Sequence, residues 1–69
     1  MDTGERIRAL RTLAGLHQSG VAAAIGLSQR TFSDLERGAR HLRFSEAISL
    51  CGELGVTLNQ LAGIEPIEV

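Results

Sequence analysis

Short junctions built on glycine and on serine or threonine constrain this chain more than any other feature. They fall at Ala14-Gly15, Gly26-Leu27-Ser28, Gly38 and Gly55-Val56-Thr57, and they divide the chain into about five pieces. Glycine just past an apolar-periodic run stops a helix, and Ser, Thr or Asp just before one starts the next. Between the junctions Leu, Ile, Val and Ala recur at helical intervals, which favours packed helices over a sheet sandwich. A chain of 69 residues with 43% hydrophobic side chains has room for one compact domain with one core. That core must be aliphatic, because there are two Phe and neither Trp nor Tyr.

The first piece opens with Asp2-x-x-Glu5, a capping-box-like pair, and should end near Ala14-Gly15. Ile7, Leu10 and Ala14 share one of its faces, with Arg11 at the edge. The second helix is expected from Gln18 to Ile25, with Val21, Ala24 and Ile25 turned inward. Ser28 caps the third, whose buried stripe is Phe32 and Leu35, while Arg30, Ser33, Asp34 and Arg37 point the other way. After the polar loop Ala39-Arg40-His41-Leu42-Arg43, a fourth helix is expected to present Phe44, Ala47, Ile48, Cys51 and Leu54 on its core side. Leu50 lies roughly 160° around that helix from Ile48 and is expected outside the core. Thr57-x-x-Gln60 is a capping box for a short fifth helix carrying Leu58 and Leu61. The domain is expected over residues 1–63, with 64–69 as a short C-terminal tail. Leu50, Ile64, Ile67 and Val69 are the candidate contacts with a second subunit.

The net charge of −1 is unevenly spread: residues 1–43 hold all seven Arg and carry net +3, while residues 44–69 carry −4. One end would orient the domain toward a polyanion. No apolar run nears the roughly 20 residues that span a bilayer, and the opening Met1-Asp2-Thr3-Gly4-Glu5-Arg6 is not a cleavable apolar segment. A cytoplasmic protein with no membrane partner is expected. Cys51 is the only cysteine, so it forms neither an internal disulfide nor a thiolate cluster and reads as a buried small hydrophobe. His17 and His41 have no Cys or paired carboxylate at ligand spacing, so neither metal nor cofactor is expected. No Ser lies in a Gly-x-Ser-x-Gly elbow and no Gly-x-x-x-x-Gly-Lys loop is present, which argues against an enzyme.

Two short helices joined only through Ile25-Gly26-Leu27-Ser28 cannot lie antiparallel over so tight a turn, so they should cross steeply and leave the third helix protruding. Its outer face then carries residue types that read base edges. Arg30 can donate twice to guanine, Gln29 can make a paired bond to adenine, and Ser33 and Asp34 can discriminate further. A major groove about 12 Å wide accepts one helix with its side chains. Arg11 and Glu36 each flank an apolar stripe, about 40° from Ile7 and Phe32 respectively, and each needs a partner of opposite charge.

From Gly4 through Leu61 the chain resembles the Cro/repressor-like (XRE-type) helix-turn-helix family. The stretches that carry the likeness are Gly15-Leu16-His17-Gln18, Val21-Ala22-Ala23-Ala24-Ile25-Gly26-Leu27-Ser28, Phe32-Ser33-Asp34-Leu35-Glu36-Arg37-Gly38 and Leu54-Gly55-Val56-Thr57-Leu58-Asn59-Gln60-Leu61. The resemblance implies an all-α, five-helix, lambda-repressor-like DNA-binding domain containing a helix-turn-helix, encoded by a bacterium or phage. It implies base reading by Gln29, Arg30, Ser33 and Asp34. It places Gln18, Ser28, Arg37, Arg40, His41 and Arg43 at phosphates, where contacts set register rather than sequence. It also implies an internal pair between Arg11 and Glu36, and a homodimer on a palindromic double-stranded site. His17 stands where a Ser or Thr usually caps the family's second helix. A protein partner, as in an antitoxin that binds a toxin and its own operator, is the alternative that the acidic C-terminal third would serve.

Overall fold

In the computed structural model, which describes residues 1–64, five helices follow one another: α1 (Thr3–Leu13), α2 (Gln18–Ala24), α3 (Gln29–Glu36), α4 (Phe44–Leu54) and α5 (Leu58–Ala62). No strand occurs among the described residues, and none of their helices is long and apolar enough to cross a membrane.

Polar caps set the starts. Asp2 Oδ1 accepts from the Glu5 N–H at 2.8 Å and Glu5 Oε1 accepts from the Asp2 N–H at 3.2 Å. Ser28 Oγ accepts from the Thr31 N–H at 3.1 Å, and Thr57 and Gln60 exchange bonds of 3.0 Å. Each satisfies backbone donors that the first helical turn leaves unpaired. The end of α2 turns on Gly26, whose φ of +77° is open to glycine at little cost. There the Leu27 N–H reaches the Ala22 carbonyl at 2.9 Å and the Gly26 N–H reaches that of Ala23 at 3.2 Å, a Schellman closure. This closure holds the chain between α2 and α3 in one conformation.

The core joins Ile7 and Leu10 of α1, Val21 and Ala22 of α2, Phe32 and Leu35 of α3, Leu50, Cys51 and Leu54 of α4, and Leu61 of α5. Phe32 and Leu50 are 0% exposed. In α2 the inward small residue is Ala22, whereas Ala24 is exposed, and Ala14 at the end of α1 is exposed as well.

The larger correction concerns α4. Leu50, expected outside the core as a contact with a second subunit, is buried in it, while Phe44 and Ile48, expected inside, are 72% and 52% exposed. Two overlapping stripes share Ala47 and Cys51. One continues through Phe44 and Ile48, the other through Leu50 and Leu54, and they differ by a rotation of roughly 60°. The second wins because α4 packs against α2 and α5 over the common core, and Leu50 and Leu54 lie on that side.

One close approach sets how α1 meets α3. At Gly4 a Cβ would sit 2.5 Å from the Leu35 carbonyl oxygen and 2.6 Å from that of Glu36, so only glycine lets the backbones come this near. At the other side Arg6 Nε donates to the Gln60 carbonyl at 2.7 Å, tying α1 to the last turn of α5.

Candidate nucleic-acid interface

The helix expected to read DNA is held at both ends. At its start stand the Ser28 cap and the Gly26 turn; Ser28 Oγ also donates to Thr31 Oγ1 at 2.9 Å. At its end Glu36, only 6% exposed, accepts from Arg11 Nε at 2.6 Å, Arg11 Nη2 at 3.1 Å and Gln18 Nε2 at 2.8 Å. Arg11 Nη1 further donates to the Leu16 carbonyl at 2.9 Å. One carboxylate thus joins α1, α2 and α3, and its guanidinium partner also fixes the turn between the first two. The bond to Glu36 raises the Arg11 pKa against the opposing effect of burial, so the charge on Arg11 is secure.

The outer face of α3 is polar and accessible. Gln29 and Arg30 are exposed, and Ser33 and Asp34 are half-buried. Arg30 has no hydrogen-bond or ion-pair partner among the described residues, whereas Arg37 pairs with Asp34 one turn back. Asp34 is therefore engaged in restraining an arginine on its own helix. Gln18 sits against Glu36 with its amide, so it braces α3 from α2.

In the loop after α3, Arg40 makes a two-pronged bond to Glu46, at 2.9 Å and 2.8 Å, and the same carboxylate accepts from the Arg43 N–H at 2.9 Å. The bond from Arg40 holds the Glu46 carboxyl below its ordinary range and raises Arg40 in turn. Arg40 thus closes the loop onto the start of α4, and a phosphate there would have to share it. His41 and Arg43 are exposed, and the charge of Arg43 adds to that of Arg40 in lowering the Glu46 pKa. Of the candidate subunit contacts Leu50 is removed by its burial, Ile64 is 76% exposed, and Ile67 and Val69 lie outside the described residues. Burial raises the Cys51 thiol pKa, keeping it protonated and unreactive.

Sequence reasoning did not single out Arg8. It lines an open, largely polar cleft of about 530 Å³ between α1, α2 and α3, together with His17, Ser19 and Arg37. Its position three residues before Arg11 on α1 was the available signal, because that spacing puts both on neighbouring turns of one side.

Two short helices in contact across a glycine turn, the second braced at both ends and free on its polar face, define a helix-turn-helix domain. The chain belongs to the helix-turn-helix domain family, whose model matches residues 2–63. No curated protein sequence matches it significantly. Among solved structures it is similar to the restriction-modification controller protein C.AhdI from Aeromonas hydrophila, with 32% identity, a TM-score of 0.80, and coverage of 86% of this chain and 89% of that one. It is similar to the P22 c2 repressor, solved in complex with a synthetic operator, with 25% identity, a TM-score of 0.84, and coverage of 94% and 98%. The clp gene regulator ClgR from C. glutamicum shares 26% identity at a TM-score of 0.79, with coverage of 96% and 91%.

Proposed function

We propose that this chain is a sequence-specific transcriptional regulator that lays α3 in the major groove of duplex DNA. The observation that carries the reading is the uncompensated guanidinium of Arg30 beside Gln29, on a helix pinned at both ends by Ser28 and by Glu36. A reader of bases gains from such rigidity, because a fixed helix loses little further freedom when it docks. With eight residues α3 is about 12 Å long, enough to lie across a groove of about 12 Å. Gln29, Arg30 and Ser33 contact base edges; Arg37, His41 and Arg43 contact phosphates beside them. The C.AhdI, P22 c2 and ClgR likenesses support a regulator acting on operator DNA in the cytoplasm.

The regulator works as a homodimer on a palindromic site. Exposed Phe44, Ile48, Leu58 and Ile64 support this, since they leave apolar surface in water on α4, on α5 and just past it. Two-fold symmetry would then set half-sites one helical turn, about 34 Å, apart.

Selection of bound sequences from a random duplex library, with the mass of the complex, tests both parts. A palindromic consensus with two chains per duplex is expected. On the selected site Arg30→Ala should cost roughly 1–3 kcal/mol and relax base preference at one position per half-site. Equal losses on matched and scrambled duplexes would refute the base-reading role of Arg30.

A further inference from the structure

A groove of about 610 Å³ opens between the start of α1, the loop after α3, α4 and α5. Ile7, Leu35 and Leu61, all buried, form its floor, while Phe44 and Leu58, 72% and 42% exposed, stand at its rim in water. Two of its charged members are already committed, Asp2 to the cap of α1 and Arg40 to Glu46. What the groove offers is therefore apolar contact. Helix α5 ends on it, since both Leu58 and Ala62 line it. There Gly63 adopts a φ of +82° and the Ile64 N–H returns to the Asn59 carbonyl at 2.9 Å, which turns the chain back toward the first turn of α5. Arg6 lays its guanidinium along this turn, 3.3 Å from where a Gly63 Cβ would sit, and its partners among the described residues are neutral, the Gln60 carbonyl and Met1 Sδ. Its charge thus faces the departing chain uncompensated. Asp2 and Thr3, one turn back on the same side of α1, belong to the groove wall, so Arg6 stands at its mouth.

Residues 65–69, outside the described residues, read Glu-Pro-Ile-Glu-Val. Glu65 follows closely on Gly63 and is opposite in sign to Arg6. Ile67 and Val69 can reach at most about 11 and 18 Å beyond Ile64, in a domain whose shortest extent is 19 Å. Pro66 favours extended backbone at Glu65, and residues two apart in an extended segment face one side, so Ile67 and Val69 make one apolar pair. We propose that this segment folds back over the groove of its own molecule, with Ile67 and Val69 against Phe44 and Leu58 and with Glu65 at Arg6. The seat goes beyond the DNA-binding reading, and its consequence rests on the homodimer part of that reading. Phe44 and Leu58 belong to the apolar surface through which a second copy docks, so the tail and the second copy compete for them. The tail then sets the concentration at which the regulator assembles, without any change at α3.

The test follows the methyl groups of the full chain by NMR in an Ile48→Asp background, which removes apolar surface outside the groove and keeps the chain monomeric. Cross-peaks from Ile67 and Val69 to Phe44 and Leu58 are expected. Ile67→Asp should erase them and shift the Leu58 and Leu61 methyls, and Glu65→Lys should weaken them. Neither substitution touches a core residue, so the helices persist. With Ile48 restored, sedimentation should show that Ile67→Asp dimerises several-fold more tightly than the wild type, because the second copy no longer has to displace the tail. Absent cross-peaks, with Leu58 and Leu61 methyls that Ile67→Asp does not move, would overturn the seat and leave the groove to another protein. Cross-peaks found only between chains, in a mixture of labelled and unlabelled wild-type protein, would overturn it in favour of exchanged tails. Weaker dimerisation of Ile67→Asp would overturn the competition, since the tail would then be part of the dimer contact. If the cross-peaks are present while the wild type stays monomeric at every concentration and on its selected duplex, the homodimer reading falls and the seat stands.

Discussion

Helices α3 and α4 pack on the same core and turn opposite kinds of surface to the outside. The outer side of α3 bears Gln29, Arg30 and Ser33, which water already satisfies and a polyanion can claim by charge. The outer side of α4 bears Phe44 and Ile48, 72% and 52% exposed, which water does not satisfy. Each Å² of such surface covered by a partner is worth about 25 cal/mol before the costs of association. The means of support differ in the same sense. Glu36 fastens α3 through three polar bonds to α1 and α2, whereas α4 is seated by Leu50, Cys51 and Leu54 in the core. A helix that must hold base-reading groups in register is braced by directional bonds. A helix that offers an apolar face needs only to be anchored by its other side.

The strongest challenge to this contrast is to exchange the sides of α4. Leu50→Ala should cost roughly 4 kcal/mol, because a fully buried leucine leaves both lost transfer energy and a cavity. Ile48→Ala, two residues away on the solvent side, should cost under about 0.5 kcal/mol in the monomer. Urea denaturation of both variants at low concentration checks the difference, and equal losses would show that α4 is not seated by Leu50. For α3 the matching challenge is Glu36→Ala, which strands Arg11 and the Gln18 amide. Breaking a buried pair costs roughly 3–5 kcal/mol, and the lower end applies because Arg11 can swing toward water. DNA affinity should fall along with stability, whereas Ile48→Ala should leave single half-site binding unchanged.

The two helices also differ in how far the sequence alone reveals them. Between Gln29 and Arg37 only Phe32 and Leu35 are strongly apolar, so the buried side of α3 has one solution and its outward set follows. The starts and stops were equally legible, because Asp2, Ser28 and Thr57 act on their own first turns. In α4 the apolar residues spread over an arc of roughly 160°, wider than the buried side needs, and periodicity cannot choose between two stripes that share Ala47 and Cys51. Only the positions of the other helices settle it. The same holds for the arginines of the site. Nothing local distinguishes Arg40, which Glu46 captures across a loop, from Arg8 and Arg30, which remain uncommitted.

Gly4 is another residue whose role comes from distant partners, and it probes the seating of α3 from outside that helix. Gly4→Ala should destabilise the domain by roughly 2 kcal/mol, since the neighbouring atoms are backbone carbonyls that cannot rotate away. Gly52, on the exposed side of α4, is its counterpart, because a Cβ added there would meet nothing within 4 Å. Gly52→Ala should therefore stabilise the domain by up to about 1 kcal/mol through helix propensity alone. Thermal melts of the two variants should move in opposite directions.

The smallest effect is expected where the loop from α3 meets α4. Arg40 holds the Glu46 carboxyl below its ordinary pKa of 4.5, so folding favours the ionised form. The unfolded chain then binds the proton more readily than the folded one, and the contribution of the pair is fully present above pH 4.5 and fades as pH falls through the lowered value. Both side chains are partly open to solvent, which keeps the contribution modest and sensitive to salt. Glu46→Gln should lower the melting temperature slightly at pH 7 and converge with the wild type toward pH 3. The charged part of the DNA contact, Arg30 on α3, is untouched by that titration. A parallel loss of sequence preference in Glu46→Gln at pH 7 would show that the reading face depends on the loop as well as on the brace at Glu36.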